Sequence, residues 1–302
     1  MKATHTLLGA MIAAGSLVPA MAEPLTVYGK ANLSAQLADE GEGSFTELKS
    51  NASRFGVKGE TALENGLEVF YQIEWQVDLA DLSGDDNIKS RDQYVGVRGD
   101  FGSLYAGRAN TVLKNWSKPV DLFNDYEADL KGLWKGENRV SDSVNYISPS
   151  FGGFTFGINY MMEDDVDGED GVTVGVHYGD AKLKKSAFYA AVLVEQDMGG
   201  YDTQRVIVST KLDSVTLGAA LHSQEPAAGG DSKNGYLVSA QYGLDAWKFK
   251  LQYQTLEDDN SVSIGADYKL GKNTKAYAWY TDRSLDQSED KSWLAVGLEH
   301  KF

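Results

Sequence analysis

Leu25-Thr26-Val27-Tyr28-Gly29-Lys30-Ala31-Asn32-Leu33-Ser34-Ala35-Gln36-Leu37 sets Leu25, Val27, Gly29, Ala31, Leu33, Ala35 and Leu37 on one side of an extended chain, and Thr26, Tyr28, Lys30, Asn32, Ser34 and Gln36 on the other. A period of two with one apolar and one wet face is a β-strand between an apolar medium and water. The pattern returns at residues 53–63 and again at 67–79, where Leu67, Val69, Tyr71, Ile73, Trp75, Val77 and Leu79 oppose Glu68, Gln72, Glu74, Gln76 and Asp78. Further strands are expected at about 89–99, 103–109, 139–148, 153–162, 171–179, 185–195, 203–212, 215–223, 234–244, 246–256, 260–270, 274–283 and 291–302. The total is sixteen, although fourteen or eighteen would also fit. With about 17 residues per strand and connection, there is room for tilted spanning strands of about 9–11 residues.

Ahead of the first strand, Lys2, the apolar run Leu7 to Val18 and the small residues Ala20-Met21-Ala22 read as an export signal cleaved before Glu23. The run is too short for a spanning helix. Residues 1–22 are thus expected to be a leader and 23–302 a single barrel domain. Zero cysteines leave an exported chain without disulfides or thiolate metal sites. Removing Lys2 with the leader takes the formal net charge from −16 to −17, which argues against nucleic acid as a partner.

Connections alternate in length. Glu64-Asn65-Gly66, Asp100-Phe101-Gly102, Pro149 to Gly153, Asp213-Ser214 and Leu270 to Asn273 are tight, and the links between them read as longer and acidic. Short turns on one rim and long loops on the other suit an all-β transmembrane antiparallel barrel, with both termini on the short-turn, periplasmic side. A soluble β-sandwich is the rival, but so many strands would call for two or three domains, and the sequence has no linker, low-complexity break or repeat. Trp75, Tyr94, Tyr160, Tyr178, Tyr189, Tyr253 and Tyr280 fall near strand ends on the expected outer face, where interfacial girdles lie.

Several segments resemble the general porins of Gram-negative outer membranes, particularly the branch with short loops. They are Leu25 to Lys30, Ser53-Arg54-Phe55-Gly56-Val57-Lys58-Gly59-Glu60, Arg91-Asp92-Gln93-Tyr94-Val95-Gly96-Val97-Arg98-Gly99, Phe101 to Arg108, Arg139 through Phe154 and Val296 to Phe302. Each is loose alone; in this order they span the whole chain. The resemblance implies a homotrimer of water-filled channels passing small hydrophilic solutes and ions. It also implies outer-membrane lipid and lipopolysaccharide as surroundings, no cofactor, and Phe302 as the signal read by the barrel-assembly machinery.

A barrel of sixteen strands is too wide to sieve small solutes unless something narrows it. The connection at about 110–138 is the candidate, because so long a link is either functional or disordered. Trp116, Phe123, Tyr126 and Trp134 are suited to pin it to the inner wall, and residues 120–133 have room for a short helix. In the family the corresponding loop carries acids that face a basic ladder. The resemblance places the acids on Asp121, Asp125, Glu127 and Asp129, and the ladder on Lys30, Arg54, Arg91 and Arg139. Lys30 and Arg54 sit on the wet faces of their strands. Arg91 is in phase with apolar Val95 and Val97, and Asp142 is out of phase with Arg139, so those two strands have blurred alternation.

The outward loops carry Asp39, Glu40, Glu42 and Glu47, then Asp81, Asp85 and Asp86, then acids from Glu163 to Asp170, then Glu257, Asp258 and Asp259. Such a mouth predicts weak cation preference. Asp165 to Gly171 lacks the ligand spacing of an EF-hand calcium loop. His177, His222 and His300 lie in no nucleophile or metal motif, which disfavours an enzyme; an outer-membrane phospholipase assembled across strands is the residual enzymatic reading. Two further functions suit the same barrel, a substrate-specific outer-membrane channel and a non-conducting structural or adhesive barrel with a plugged lumen. Tyr28, Phe70 and Trp279 are too scattered in sequence to argue a specific lumen site.

Overall fold

The computed structural model describes residues 25–81, 87–166 and 168–302; the expected leader, Asp85, Asp86 and Asp167 lie outside them. The chain forms β1 (Thr26–Asp39), β2 (Ser44–Ser50), β3 (Arg54–Ala62), β4 (Glu68–Val77), β5 (Ile88–Gly99), β6 (Gly102–Asn110), β7 (Arg139–Ile147), β8 (Phe154–Met161) and β9 (Gly171–Gly179). It continues with β10 (Phe188–Met198), β11 (Tyr201–Leu212), β12 (Val215–Pro226), β13 (Lys233–Leu244), β14 (Trp247–Leu256), β15 (Asp259–Lys269), β16 (Thr274–Ser284) and β17 (Lys291–Lys301). Each strand from β3 onward pairs antiparallel with the next, and β1 pairs with β17 on one side and with both β2 and β3 on the other. β1 and β3 to β17 thus close into a ring with no free end strand, as backbone groups in a membrane require.

β2 and β3 are two halves of one stave. β2 meets the upper part of β1 through Leu33↔Ser50 to Asp39↔Ser44, and β3 meets the lower part through Thr26↔Lys58 to Lys30↔Arg54. The break at 51–53 is filled by side chains. The Asn32 N–H donates to Ser53 Oγ at 3.0 Å, and Asn51 Nδ2 donates to Ser34 Oγ at 2.8 Å. Counting that stave once gives sixteen, the number expected from the alternation, with Ser44–Ser50 forming a strand where the sequence pattern predicts a loop.

The face toward lipid is apolar and exposed, as with Val27, Phe55, Val95, Phe156, Val192, Leu251 and Val296. Tyr94 and Tyr189, expected in the outer girdle, point inward instead. Tyr94 donates to Gln72 Oε1 at 3.3 Å, and Tyr189 donates to the Trp116 carbonyl at 3.0 Å.

Rim lengths also differ from the expected pattern. Glu257 and Asp258 make a two-residue turn, Gly199-Gly200 another, and Glu47 lies within β2. The opposite rim has one longer link, 180–187. There the Asp180 carboxylate accepts N–H bonds from Lys182, Lys184 and Lys185, and Leu183 is buried against the lumen's apolar cluster.

Ring closure brings the last residue onto the first strand. The Phe302 N–H donates to the Gly29 carbonyl at 3.1 Å and its carbonyl accepts from Gly29 N at 2.9 Å. The Phe302 ring covers Gly29 so closely that a Cβ there would lie 2.3 Å from Cζ and 2.8 Å from the Arg54 carbonyl oxygen. Gly29→Val is therefore expected to destabilise the closure by about 1–3 kcal/mol, the usual cost of overpacking. The temperature at which the detergent-folded barrel loses its compact gel mobility measures this, and an unchanged transition would refute the packing argument.

Candidate pore constriction

Between β6 and β7 the chain turns into the lumen. Thr111 caps α1 (Val112–Ser117) by accepting from Lys114 N at 3.3 Å, and Asp129 caps a short 3-10 turn at Leu130–Gly132. The helix thus lies ahead of residues 120–133, where only the 3-10 turn forms. Leu113, Val120, Leu130, Leu133 and Trp134 are buried against the inward faces of β10 to β14, notably Tyr189, Leu193, Ile207 and Leu237. Phe123, Tyr126 and Ala128 pack on Tyr277, Trp279 and Trp293 of β16 and β17. Fully burying one large apolar side chain stabilises by about 1.5–3 kcal/mol, so this seam holds the segment firmly.

Polar groups on the wall satisfy the loop's backbone. Gln252 accepts from Leu122 N at 2.9 Å and donates to the Ala128 carbonyl at 3.2 Å, Gln254 donates to the Leu130 carbonyl at 3.0 Å, and Gln224 accepts from Lys135 N at 2.8 Å. Trp134 stacks on His222, with ring centroids 4.5 Å apart, and donates to the Thr255 carbonyl at 2.7 Å. The fully buried Arg205 ties both ends of the segment together. It donates to Ser117 Oγ at 2.7 Å, to Glu137 Oε1 at 2.7 Å and to the Lys135 carbonyl at 2.9 Å.

Arg205 and Glu137 sit in no motif, and sequence reasoning misses them. The cue is apolar character on both faces of β10 and β11, as in Val192-Leu193-Val194 and Val206-Ile207-Val208. A strand wet on one side does not need that; one covered on both sides does.

The loop's free side faces β1 to β7 across a cavity of about 560 Å³. Lys30 Nζ meets Asp125 Oδ2 at 2.6 Å and Arg54 Nη1 meets the same oxygen at 3.4 Å, so the loop tip is latched to the wall there. Glu127 pairs with Lys49 of β2 at 3.0 Å. Arg91 holds Glu74 at 2.6 Å, and Arg139 holds Asp92 at 2.7 Å. All four expected basic residues, together with Asp125 and Glu127, therefore converge on one throat. Asp129 borders the throat but is used within the loop, accepting from the N–H groups of Asp125 and Lys131 at 3.0 Å each. Asp125 itself adopts φ +75°, a strained conformation that those bonds and the Lys30 pair hold in place. Asp121 turns away toward the opposite vestibule. Burial, then the charges of Asp129 and Glu137, push its carboxyl well above the usual range.

Two β-bulges explain the blurred alternation. Opposite Ile73 and Trp75, β5 spends an extra residue between Ser90 and Gln93. Opposite Gly107 and Ala109, β7 spends one between Val140 and Ser143, where Asp142 takes φ +48°. On β5 the change of phase lets Arg91 enter the lumen while Val95, four residues on, still meets lipid; on β7 Arg139 reaches the lumen-side Asp92 and Val144 meets lipid. Glu74, Asp92 and Lys49, absent from the expected set, share the throat.

Residues 7–288 match the family model described as Gram-negative porin. The chain belongs to the Gram-negative porin family. Among its relatives, the major outer membrane protein P.IB of Neisseria sicca is 27% identical, covering 94% of this chain and 96% of the relative. The protein of that name from Neisseria gonorrhoeae is 26% identical over 85% and 86%. In fold, this porin is similar to the OmpF of Salmonella typhi solved in complex with daunomycin, at TM-score 0.76 and 19% identity over 93% of this chain and 98% of the other. An anion-selective porin from Comamonas acidovorans gives TM-score 0.73 and 18% identity over 93% and 100%. Closed sixteen-stave geometry and family together place this porin in the outer membrane as a multi-pass channel for small hydrophilic solutes.

The Asp125 latch has a calculable pH window. Burial would raise its carboxyl, but the adjacent charges of Lys30 and Arg54 outweigh that and hold it at about 2, below an ordinary 3.8. A depressed carboxyl contributes its stability above the ordinary value and loses it as pH falls through about 2. The loop tip is expected to stay latched at pH 4 and release near pH 2, and Asp125→Asn is expected to release it at neutral pH at a cost of roughly 2 kcal/mol. Hydrogen exchange of residues 120–130 across that range measures both; equal protection at pH 2 and pH 7 would contradict the assignment.

Proposed function

We propose that this general diffusion porin sorts solutes by a field across its throat, from Asp125 and Glu127 on the loop to Arg54, Arg91, Arg139 and Lys49 on the wall, with Lys30 latching the loop tip. The observation that carries this reading is the loop's position, with its apolar side docked to one half of the wall and its carboxylates turned to the other. Opposed charges in a low-dielectric throat orient dipolar solutes and penalise apolar ones, whose passage displaces ordered water. No bond is made or broken in this passage. The rim of tight turns, with Phe302, faces the periplasm, and the opposite rim faces outward into lipopolysaccharide. Phe302 serves as the mark for the barrel-assembly machinery, and three protomers associate, each with its own channel.

Weak cation preference comes from the acidic outer mouth at low salt. It fades as salt rises, because the Debye length falls from about 30 Å at 0.01 M to about 3 Å at 1 M. A second reading, a solute-specific channel, is favoured by one feature. Phe70, Tyr94 and Tyr105 gather on the lumen side of β4 to β6 with ring centroids 4.9 to 6.1 Å apart, and Arg98 lies over Phe70.

Planar-bilayer recording with solutes of graded size tests the general reading. Large steps, ohmic in about 1 M salt where charges are screened, in threes and unblocked by any one solute, are expected; saturable block would favour the specific channel, and silence would refute both. Replacing Arg54, Arg91 and Arg139 together by Gln is expected to raise the cation-to-anion permeability ratio in a salt gradient. The rise should be roughly twofold per charge, since a unit charge about 10 Å away in water contributes ~0.4 kcal/mol. An unchanged reversal potential would exclude these residues from the filter.

A further inference from the structure

The same strands that carry the docked loop are charged oppositely at their two ends. At the outward rim, the links 197–202, 225–233, 257–259 and 282–291 hold eleven carboxylates against Lys233, Arg283 and Lys291. At the turn rim, the segments 180–187, 211–214, 243–250, 267–275 and 299–301 hold ten lysines against Asp180, Asp213, Asp245, Asp267 and Glu299. Neither excess is visible in the net charge of the chain, which reports only the sum.

The lysines at the turn rim face a shared space. Beneath the loop lies a second cavity of about 720 Å³, where the six lysines Lys118, Lys182, Lys211, Lys248, Lys250 and Lys275 face the five carboxylates of Asp121, Asp213, Asp245, Asp267 and Glu299. Asp267 there is held by Lys250 at 2.9 Å and by Lys275 at 3.1 Å, and Glu299 by Lys301 at 3.2 Å. Among the described residues, no carboxylate pairs with the exposed Lys182, Lys211 or Lys248. Asp121, which borders this cavity, has its carboxyl pushed up from the usual range by burial.

An acidic mouth, a narrow throat and a basic vestibule therefore lie in series along one water path. We infer that this porin is a bipolar conduit that conducts asymmetrically, passing more current when the outer side is positive. The inference rests on the pore reading above and adds a direction to it. An acidic passage fills with cations and a basic one with anions. Outer-positive voltage drives cations in through the acidic mouth and anions in through the basic vestibule, so both accumulate in the throat and conductance rises. The opposite voltage withdraws both and depletes the throat. For solutes, the same arrangement favours cations arriving from outside and anions arriving from the periplasm.

Single-channel current–voltage curves of the full mature protein in about 0.01 M and about 1 M KCl test this, since the screening length falls from about 30 Å to about 3 Å between them. Orientation is fixed by Ser232→Cys on the outward rim. With no native cysteine in the chain, a thiol reagent carried on a polymer too large to enter the pore reacts only from that side. At low salt, outer-positive current is expected to exceed outer-negative current at least twofold, and the ratio should approach one at high salt. Neutralising Lys182, Lys211, Lys248 and Lys272 to Gln, all exposed and outside the throat, should bring the low-salt ratio close to one. A ratio of one in the native chain at low salt, the reverse polarity, or an asymmetry that survives either high salt or lysine neutralisation overturns the inference while leaving the pore intact. A protein that conducts nothing brings down the pore reading first and this inference with it.

Discussion

Docking of the 111–138 segment onto the inner wall is the contact on which the rest of this molecule depends. A closed ring of sixteen staves encloses more water than a sieve for small solutes can tolerate, and nothing else among the described residues reaches across it. The seam is made of ordinary materials: Leu113, Val120, Leu130 and Trp134 against Leu193, Ile207 and Leu237, with glutamines completing the backbone's hydrogen bonds. Arg205 is its buried cation. Removing its partner Glu137 would leave a buried positive charge uncompensated, which is why such a pair holds a conformation more than it adds stability.

Docking divides the barrel into two functional halves. β10 to β17 are covered and contribute support, whereas β1 to β7 stay wet and contribute the charges of the throat. The latch between Lys30 and Asp125 joins the two, because the loop tip supported from one half is gripped by the other. The strained φ of Asp125 and the capping role of Asp129 belong to the same device: one carboxylate holds the backbone so that the other can face the pore.

The bulge on β5 shows how a strand can serve two masters. Lipid demands that Val95 face outward, while the throat demands Arg91 inside, and strict alternation cannot satisfy both, because the two lie four residues apart. A single extra residue shifts the phase between the two requirements. Asp142 absorbs the positive φ in the bulge on β7.

Alternation at Leu25 to Leu37 and its repeats is enough to predict an all-β barrel of about sixteen staves, because which face a strand residue takes is a local property with a period of two. The length and aromatic content of the 110–138 connection likewise mark it as the narrowing element, and the porin-like motifs mark the four basic residues. Only the tertiary structure decides which acids face the throat, sending Asp125 and Glu127 to the wall, Asp129 into a cap and Asp121 toward the far vestibule. It alone also discloses Arg205, Glu137, Glu74 and Asp92 as partners, and turns Tyr94 and Tyr189 inward. These outcomes depend on contacts between residues far apart in the chain, and on slips of register that a single strand's pattern records only as noise.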